Sequence, residues 1–285
     1  MRKLLIASII LRGLIQTMMS QTTYSKEIED QIKQVENNLA SRLVIDGKPY
    51  NILERMAYYK VKGLSMAVVQ NHKIVWAKGY GWADEKEKRP VTKETLFKPG
   101  SISKSLNAVG VLKLAQDKQL NLYTDINQYL KTWKFPYDSL SNGKKITLAN
   151  LLSHTGGLSV YGGFPGYDIK SKIPTISEVL DGKEPANTPP VRSLFEPGTK
   201  FQYSGGGTII SQLIITDVTN QLYEKFMYDS VLKPIGMNHS FYSAAPPAKD
   251  KLNKIATGYT KDGIEVEATF HVYPEQEPLG LWTHP

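Results

Sequence analysis

A serine and a lysine three positions apart, Ser101 and Lys104, are the residues of this sequence best placed to do chemistry. The apolar stretch that follows predicts that both lie at a helix start, where side chains three positions apart face each other. A lysine that burial keeps neutral can take the proton from a serine hydroxyl as the hydroxyl attacks a carbonyl carbon. The helix N-terminus favours the negative charge that develops there. The pair therefore indicates acyl transfer through a serine nucleophile.

The same spacing occurs twice more, at Ser141 with Lys144 and at Ser230 with Lys233. The first pair lies at an Asn-Gly turn and the second at the end of a helix stopped by a proline, so neither offers a buried helix start. After Ser101, apolar residues occur on every face, which predicts a helix that is buried all round. The alternative for Ser101 is that it only caps the helix and that its lysine is a solvated first-turn residue.

Residues 95–104, with the sequence TLFKPGSISK, resemble the nucleophile segment of the class C β-lactamase and penicillin-binding serine hydrolase family. Other segments resemble further parts of that family, in family order, across about residues 45 to 285. They are GLSMAVV at 63–69, KIVWAKGYG at 73–81, LLSHTGGL at 151–158, EPG at 196–198, FQYSG at 201–205 and LKPIGM at 232–237.

The resemblance implies an α/β (α+β) fold of the β-lactamase/DD-peptidase kind, with an antiparallel central sheet flanked by helices. It also implies a mostly helical subdomain at about residues 115–230 within one hydrolase domain, residues 21–285. The implied activity is that of a secreted serine hydrolase working through an acyl-enzyme on Ser101. The implied substrates are D-amino peptides, esters or β-lactams. The rival is a truncated, catalytically impaired family member or a non-catalytic penicillin- or peptidoglycan-binding remnant.

Tyr203 matches the tyrosine of the family's second catalytic motif, so the resemblance implies a base or an acid at this position. From the residues alone, Tyr203 precedes three glycines, 205–207, that let the backbone turn tightly. A phenol with a pKa of ~10 shuttles protons only where a cation stabilises the phenolate, and Lys104 would be that cation. The alternative is a buried tyrosine that packs against the helix.

Gly205 and Tyr161 are the candidate substrate-binding residues. Family members commonly carry an Asn at the position of Gly205, and its amide would bind the substrate's amide group. Because Gly205 has no side-chain amide, we expect recognition of acylamide substrates, including many β-lactams, to be impaired. Tyr161 begins a glycine- and aromatic-rich loop, 161–167, which is either a surface loop or a part of the site.

The family's third motif, Lys-Thr/Ser-Gly or His-x-Gly, has no match after Tyr203, and the His-Thr-Gly at 154–156 lies in the wrong place. In the family, the third motif lies on a strand that supplies one backbone amide of the oxyanion hole. Losing one such hydrogen-bond donor lowers the reaction rate by about 10²–10³-fold. Residues 280–285, GLWTHP, resemble the entry to the next family helix, with Thr283 as N-cap and Pro285 in the first turn. We therefore expect a truncated chain that lacks strands of the central sheet. If the chain as given is complete, we expect it to be poorly soluble or partly unfolded and nearly inactive.

The elements that must position these residues follow from apolar periodicity. An amphipathic helix is predicted over residues 24–43, packed on the sheet, followed by a hairpin of two strands at 64–69 and 74–80. Buried helices are predicted at 208–218 and 222–232. A second hairpin is predicted around Asp262 and Gly263, between 256–259 and 266–270.

The N-terminal residues 1–20 are typical of a secretory signal, with a charged start, an apolar run and a cleavage site after Ser20. We therefore expect a periplasmic or secreted protein, with a retained anchor as the alternative. Arg12 leaves the apolar run well short of the ~20 residues that a spanning helix needs, so no stable membrane span is expected after cleavage.

Composition excludes several classes of function. Cleavage after Ser20 would reduce the formal charge of +8 to +5, and the lysines are scattered, so no nucleic-acid partner is expected. The chain has no cysteine, and its five histidines show no H-x-x-x-H or H-E-x-x-H spacing, so we expect no metal and no cofactor.

His154 is expected to orient a loop. An α/β-hydrolase triad is disfavoured because G-x-S-x-G is absent. The expected partner is a small-molecule or peptidoglycan-derived substrate.

Overall fold

The computed structural model of this chain describes residues 23–39, 47 and 49–285. The predicted signal sequence, residues 1–20, lies outside the described residues. The described chain forms two compact units. The first comprises its residues up to Thr95 with Tyr259–Glu265 and His284–Pro285, and the second comprises Leu96–Gly258 with Val266–Thr283.

The first unit opens with two helices, α1 (Lys26–Asn37) and α2 (Ile52–Tyr58). Helix α1 buries Ile32, and just before it the Tyr24 hydroxyl donates a hydrogen bond to the Ala77 carbonyl, 2.9 Å away. The predicted amphipathic helix on the sheet is therefore confirmed over α1, while residues 40–43 lie outside the described part.

An antiparallel sheet completes this unit, in the order β1 (Gly63–Gln70), β2 (Lys73–Asp84) and β3 (Arg89–Pro90). Strands β1 and β2 are joined through Asn71 and His72, which both have left-handed backbone angles, φ 51° and 61°. This is the geometry of a two-residue hairpin turn that matches the strand twist. The predicted first hairpin is confirmed.

The second unit is mainly helical and contains the predicted subdomain range of about 115–230. A 3₁₀ turn, Gly100–Ile102, leads into α3 (Ser103–Gln116). Further along the chain lie α4 (Leu148–Leu152), α5 (Ile176–Asp181), α6 (Gly205–Thr219), α7 (Tyr223–Met227) with a π-helical extension Tyr228–Leu232, α8 (Lys249–Leu252) and α9 (Gln276–Leu279).

Helix α6 forms the centre of the core of this unit. Its apolar residues Ile209, Ile210, Ile214 and Ile215 have no exposed surface. A helix that is apolar all round is stable only when neighbouring elements cover every face. The buried helix predicted at 208–218 is thereby confirmed. The helix predicted at 222–232 is formed by α7 and its π-helical extension.

The prediction that the helix after Ser101 is buried all round is wrong. The buried residues of this helix are spaced by three and four positions, from Ser103 to Leu114. By contrast, the exposed fraction of the side chain is 67% for Ile102, 43% for Val109 and 49% for Leu112. An apolar residue only makes burial favourable, and a covering element must also be present. In the described part of the chain no element covers this face.

Two short strands close the unit, β4 (Phe241–Tyr242) and β5 (Leu281–Trp282), which pair antiparallel. The backbone of Thr283, the residue predicted to cap a helix, is paired with Phe97. The Thr283 N–H donates to the Phe97 carbonyl at 2.9 Å, and the Phe97 N–H donates back at 2.8 Å. Because N-cap residues also have extended backbone, the cap stays a prediction.

The predicted second hairpin turns where expected but has no regular strands. The Thr260 N–H donates to the Ile264 carbonyl at 2.8 Å, and a bridge joins Tyr259 to Glu265. The Val266 N–H donates to the Gly258 carbonyl at 3.0 Å, and the Gly258 N–H donates to the Thr269 carbonyl at 2.7 Å. In the part of the chain that the structure describes, no helix combines the length and the hydrophobicity needed to span a bilayer.

Candidate active site

Three side chains converge on one oxygen atom in the second unit. The amine of Lys104 lies 3.2 Å from Ser101 Oγ, and the Tyr203 hydroxyl lies 2.9 Å from the same atom, each as a donor. The lysine lies in the first turn of α3, directly after the 3₁₀ turn that holds Ser101, and the tyrosine lies 102 residues further along the chain. These are the three residues predicted to be catalytic, and the structure brings them together. Their roles in a reaction remain predictions.

The backbone before Ser101 turns its hydroxyl to the surface. Gly100 has a φ of +60°, which favours glycine, and the chain then enters the 3₁₀ turn Gly100–Ile102. Ser103 fixes this turn, because its hydroxyl donates to the Gly100 carbonyl at 2.7 Å. Ser101 is exposed and can be reached by a substrate, whereas Lys104 beside it is half-buried.

Tyr203 is held at the start of helix α6. The next residue, Ser204, is the N-cap, and its hydroxyl accepts a hydrogen bond from the Gly207 N–H at 2.8 Å. The same hydroxyl donates to the Ser159 carbonyl at 2.6 Å. The Gly206 N–H donates to the Val160 carbonyl at 3.0 Å. The helix that positions Tyr203 is therefore anchored to the loop that begins at residue 159.

Tyr161 and Gly205, the candidate substrate-binding residues, lie next to this helix start. The Gly205 N–H donates to the Tyr161 carbonyl at 2.9 Å, and the Tyr161 ring lies 5.1 Å from the Tyr203 ring. Tyr161 is 70% exposed and forms a wall beside the phenol. Gly205 is buried, and a Cβ built on it would lie 2.8 Å from a ring carbon of Phe164. The Phe164 ring therefore fills the space that an asparagine side chain would need.

His154 is a residue of this site that the sequence analysis did not assign to it. Its ring lies 4.3 Å from the Tyr203 ring, and its Nδ1 accepts a hydrogen bond from the Ser204 N–H at 3.3 Å. The His154 carbonyl accepts a second bond from Gln202. Burial and the nearby Lys104 amine lower the pKa of His154, which favours the neutral ring. The expected loop-orienting histidine thus orients the segment that carries Tyr203, and the motif at 151–158 was the signal that could have shown this.

The two other serine-x-x-lysine pairs form no such arrangement. Ser141 is buried and its hydroxyl is bonded to that of Ser193, 2.8 Å away, while Lys144 is exposed. Ser230 lies in the π-helical segment Tyr228–Leu232. Among the described residues no group of three His, Cys, Asp or Glu side chains is arranged to hold a metal ion.

The comparison with protein-family models matches residues 51–280 to the family described as Beta-lactamase. One curated relative is "Protein flp" of Staphylococcus aureus (strain MRSA252), which is 27% identical over 227 residues. That match covers 79% of this chain and 42% of the relative, so the chain spans less than half the length of the curated relatives that it resembles.

Solved structures agree with this family. The octameric penicillin-binding protein homologue from Pyrococcus abyssi is 26% identical, with a TM-score of 0.64, over 82% of this chain and 52% of that one. A class C beta-lactamase is 23% identical, with a TM-score of 0.65, over 92% of this chain and 64% of that one. The second likeness shows the fold alone, and it is the β-lactamase/DD-peptidase-like α+β fold that the sequence predicts.

Proposed function

We propose that this chain, which belongs to the beta-lactamase family of serine hydrolases, hydrolyses its substrates through an acyl-enzyme on Ser101. The observation that carries the proposal is the convergence of the Lys104 amine and the Tyr203 hydroxyl on Ser101 Oγ, at 3.2 and 2.9 Å. Nucleophilic catalysis by a serine needs such a partner, because a neutral hydroxyl is a weak nucleophile.

In the proposed reaction, Ser101 Oγ forms a bond to the carbonyl carbon of the substrate while its proton passes to Tyr203 or to Lys104. The same proton is then given to the leaving group as the bond between carbonyl carbon and leaving group breaks. Water attacks the resulting ester in the second half, with the same groups accepting its proton and returning one to Ser101. The Lys104 amine lies 5.4 Å from the centre of the Tyr203 ring, so both candidate proton acceptors lie beside the nucleophile.

The proposed substrates are esters, D-amino peptides or β-lactams. The Pyrococcus relative is described as a penicillin-binding protein homologue, so a penicillin is a reasonable probe of this site. The buried Gly205, with Phe164 in the space of a larger side chain, favours esters over acylamides because no side-chain amide stands there to bind the substrate. We also propose that residues 1–20 direct export, which N-terminal sequencing of the protein from its host would test.

The test of the proposed function is covalent labelling followed by peptide mass spectrometry. Purified protein is treated with an alkyl fluorophosphonate and, separately, with a fluorescent penicillin. We expect an adduct on the peptide with Ser101 and none in Ser101→Ala. Ser230→Ala is the matched control, because it alters another serine with the same spacing. An adduct that persists in Ser101→Ala would refute the assignment.

The fate of the adduct distinguishes this proposal from its rival, a family member that binds penicillin without turning substrates over. The proposal expects hydrolysis of a p-nitrophenyl ester to continue over many turnovers. A stable stoichiometric adduct on Ser101 without turnover would identify the binding alternative.

A further inference from the structure

A lysine amine lies between two aromatic rings, three residues before Ser101. The Lys98 amine is 4.6 Å from the centre of the Tyr273 ring and 4.6 Å from the centre of the Trp282 ring. It also donates a hydrogen bond to the Leu279 carbonyl at 3.3 Å. Among the described residues no carboxylate forms a salt bridge with it. Two aromatic faces and a carbonyl thus hold a cation, and such contacts are strongest where water is excluded.

Packing alone does not explain a lysine at this position. Burial of the Lys98 amine away from a carboxylate is unfavourable, and it lowers the pKa of Lys98 to about 7. A methionine has nearly the same length and fills the space between the two rings without a charge. The contacts of the amine therefore call for a physical reason.

The residues that hold the amine belong to the segment 273–282, which packs beside the nucleophile. Leu279 ends α9, and α9 packs against the 3₁₀ turn Gly100–Ile102 and against the helix after it. Trp282 lies in β5, and the residue after it pairs with Phe97 through two backbone hydrogen bonds. The Lys98 side chain and the backbone of its neighbour are therefore fixed to the same stretch of chain.

The two residues between Lys98 and Ser101 are both constrained. The ring of Pro99 restricts its φ, which is −80°. Gly100 has a φ of +60°, and its carbonyl accepts the Ser103 hydroxyl at 2.7 Å. A displacement of Lys98 is therefore passed on to the Ser101 hydroxyl and changes its distances from the two groups that bond to it.

We propose that Lys98 is a positioning residue: its amine, bound between two aromatic rings, holds the nucleophile turn in the geometry that proton transfer from Ser101 requires. The inference rests on the proposed function and deepens it, because Lys98 would act on the reaction only through the position of Ser101. A charged amine is attracted by the ring faces and is a stronger hydrogen-bond donor than a neutral one. The effect of Lys98 on the rate is therefore largest at a pH at which its amine is charged.

The titratable groups on the elements around Lys98 are Tyr273, Glu275 before α9, Glu277 on α9 and Lys104 on the helix after the nucleophile turn. Burial raises the pKa of the Tyr273 phenol, and it raises the pKa of both carboxyls to about 7. At pH 6 the phenol and the carboxyls are therefore mostly uncharged, while Lys98 is mostly charged. All four groups are retained in a variant of Lys98, so a comparison with the wild type at one pH isolates the amine.

The first test compares the rate of Ser101 labelling by a fluorophosphonate in the wild type and in Lys98→Met. Methionine keeps the length of the side chain and removes the charge. At pH 6 we expect a rate about tenfold lower in the variant, because a small displacement of a nucleophile is costly. At pH 8.5 the wild-type amine is mostly neutral, so the difference should be smaller.

Lys251→Met is the matched control for this test. The Lys251 amine also lies over an aromatic ring, 3.9 Å from the centre of Phe241, but it belongs to α8 and not to the nucleophile segment. The control should label at the wild-type rate at both pH values.

The second test changes a ring instead of the amine. Tyr273→Phe keeps an aromatic face against Lys98 and should label at the wild-type rate at pH 6, whereas Tyr273→Leu should label more slowly. In the double variant of Lys98→Met and Tyr273→Leu, the leucine should cause no further loss, because the ring acts through the amine.

A third measurement needs no activity. In protein with ¹³C-labelled lysine side chains, the ε-methylene protons of Lys98 should resonate upfield of those of exposed lysines, because two ring faces shield them. Tyr273→Leu should move this signal downfield. The signal is assigned by its loss in Lys98→Met, and thermal unfolding shows that each variant is folded at the labelling temperature.

The inference is overturned if Lys98→Met labels like the wild type at pH 6. It is also overturned if the variant is slower by the same factor at both pH values, which is the signature of a purely structural role. Equal effects of Tyr273→Leu in the wild type and in Lys98→Met would contradict it too. By contrast, an absence of labelling in the wild type would refute the proposed function, while the ε-methylene signal would still decide whether the rings hold the amine.

Discussion

The imidazole ring of His154 lies 4.3 Å from the phenol ring of Tyr203, with the two planes tilted by 34°. The same imidazole accepts the Ser204 N–H, so it fixes the residue after the tyrosine as well as the tyrosine ring. A histidine from a loop about fifty residues earlier thus sets the direction of the hydroxyl that reaches Ser101. His154 supports the site without touching Ser101 Oγ.

We expect His154→Ala to lower the rate of Ser101 labelling on the order of tenfold, because the phenol loses its ring contact and the Ser204 N–H loses its acceptor. Phe201→Ala is the matched control. Phe201 is 67% exposed and contacts the edge of the His154 ring, so its loss should leave the rate nearly unchanged. Equal effects of the two substitutions would contradict a specific role for His154. Labelling rates and circular dichroism of both variants are the measurements.

Lys104→Ala should remove acylation and leave the fold intact. Proton transfer by a positioned group contributes about 10²–10⁴ to a rate, whereas alanine is well tolerated in a helix. Lys113→Ala, which alters a lysine of the same helix that pairs with Asp117, should label at the wild-type rate. If Lys104→Ala is acylated as fast as the wild type, the lysine takes no part in acylation.

We expect a higher kcat/KM on a p-nitrophenyl ester than on nitrocefin, because no side-chain amide stands at Gly205 to bind an acylamide. Steady-state kinetics on both substrates decide this, and a clear preference for nitrocefin would refute it.

The space beside Gly205 supplies the control for that prediction. Gly205→Asn alone should be destabilised by about 1–3 kcal/mol, because its Cβ would meet Phe164 at 2.8 Å. Gly205→Asn with Phe164→Ala should regain part of this stability and gain relative activity on nitrocefin. A double variant no more stable than Gly205→Asn would show that Phe164 is not the obstacle.

Because the carboxyl of Glu275 is buried, we expect the free energy of unfolding to depend on pH. Burial raises its pKa from 4.5 to about 7, so the folded chain keeps a proton that the unfolded chain releases as the pH rises above 4.5. The stability that this group contributes at low pH is therefore lost between about pH 4.5 and 7. Glu275→Gln should be relatively more stable at pH 8 than at pH 4.5, by about 2–3 kcal/mol. Urea unfolding at both pH values measures this.

A control for Glu275→Gln is Glu267→Gln, which removes an exposed carboxyl from the same part of the chain. Its effect on the unfolding free energy at each pH is subtracted from that of Glu275→Gln. A remaining Glu275→Gln effect that does not depend on pH would show that burial does not raise the pKa of Glu275.

The sequence predicted the proximity of Ser101 and Lys104 because their spacing on a helix decides it. Tyr203 was linked to them by the resemblance of its motif. His154 and Glu277 were not predicted to lie behind these residues, because contacts such as that between Thr208 and Glu277, 69 residues apart, leave no periodic signal. The exposed face of the helix after Ser101 was mispredicted for a related reason: apolar residues show which faces favour burial, and only the packing of other elements shows which are covered.

The anchoring of α6 to the loop from Ser159 to Tyr161 also constrains how this site can move. Three carbonyls of that loop accept hydrogen bonds from Ser204, Gly205 and Gly206 at the start of the helix. The backbone of this loop cannot move away from the helix start without breaking these hydrogen bonds. A ligand can therefore be accommodated by rotation of the exposed Tyr161 side chain, while the loop backbone stays fixed to the segment that carries Tyr203.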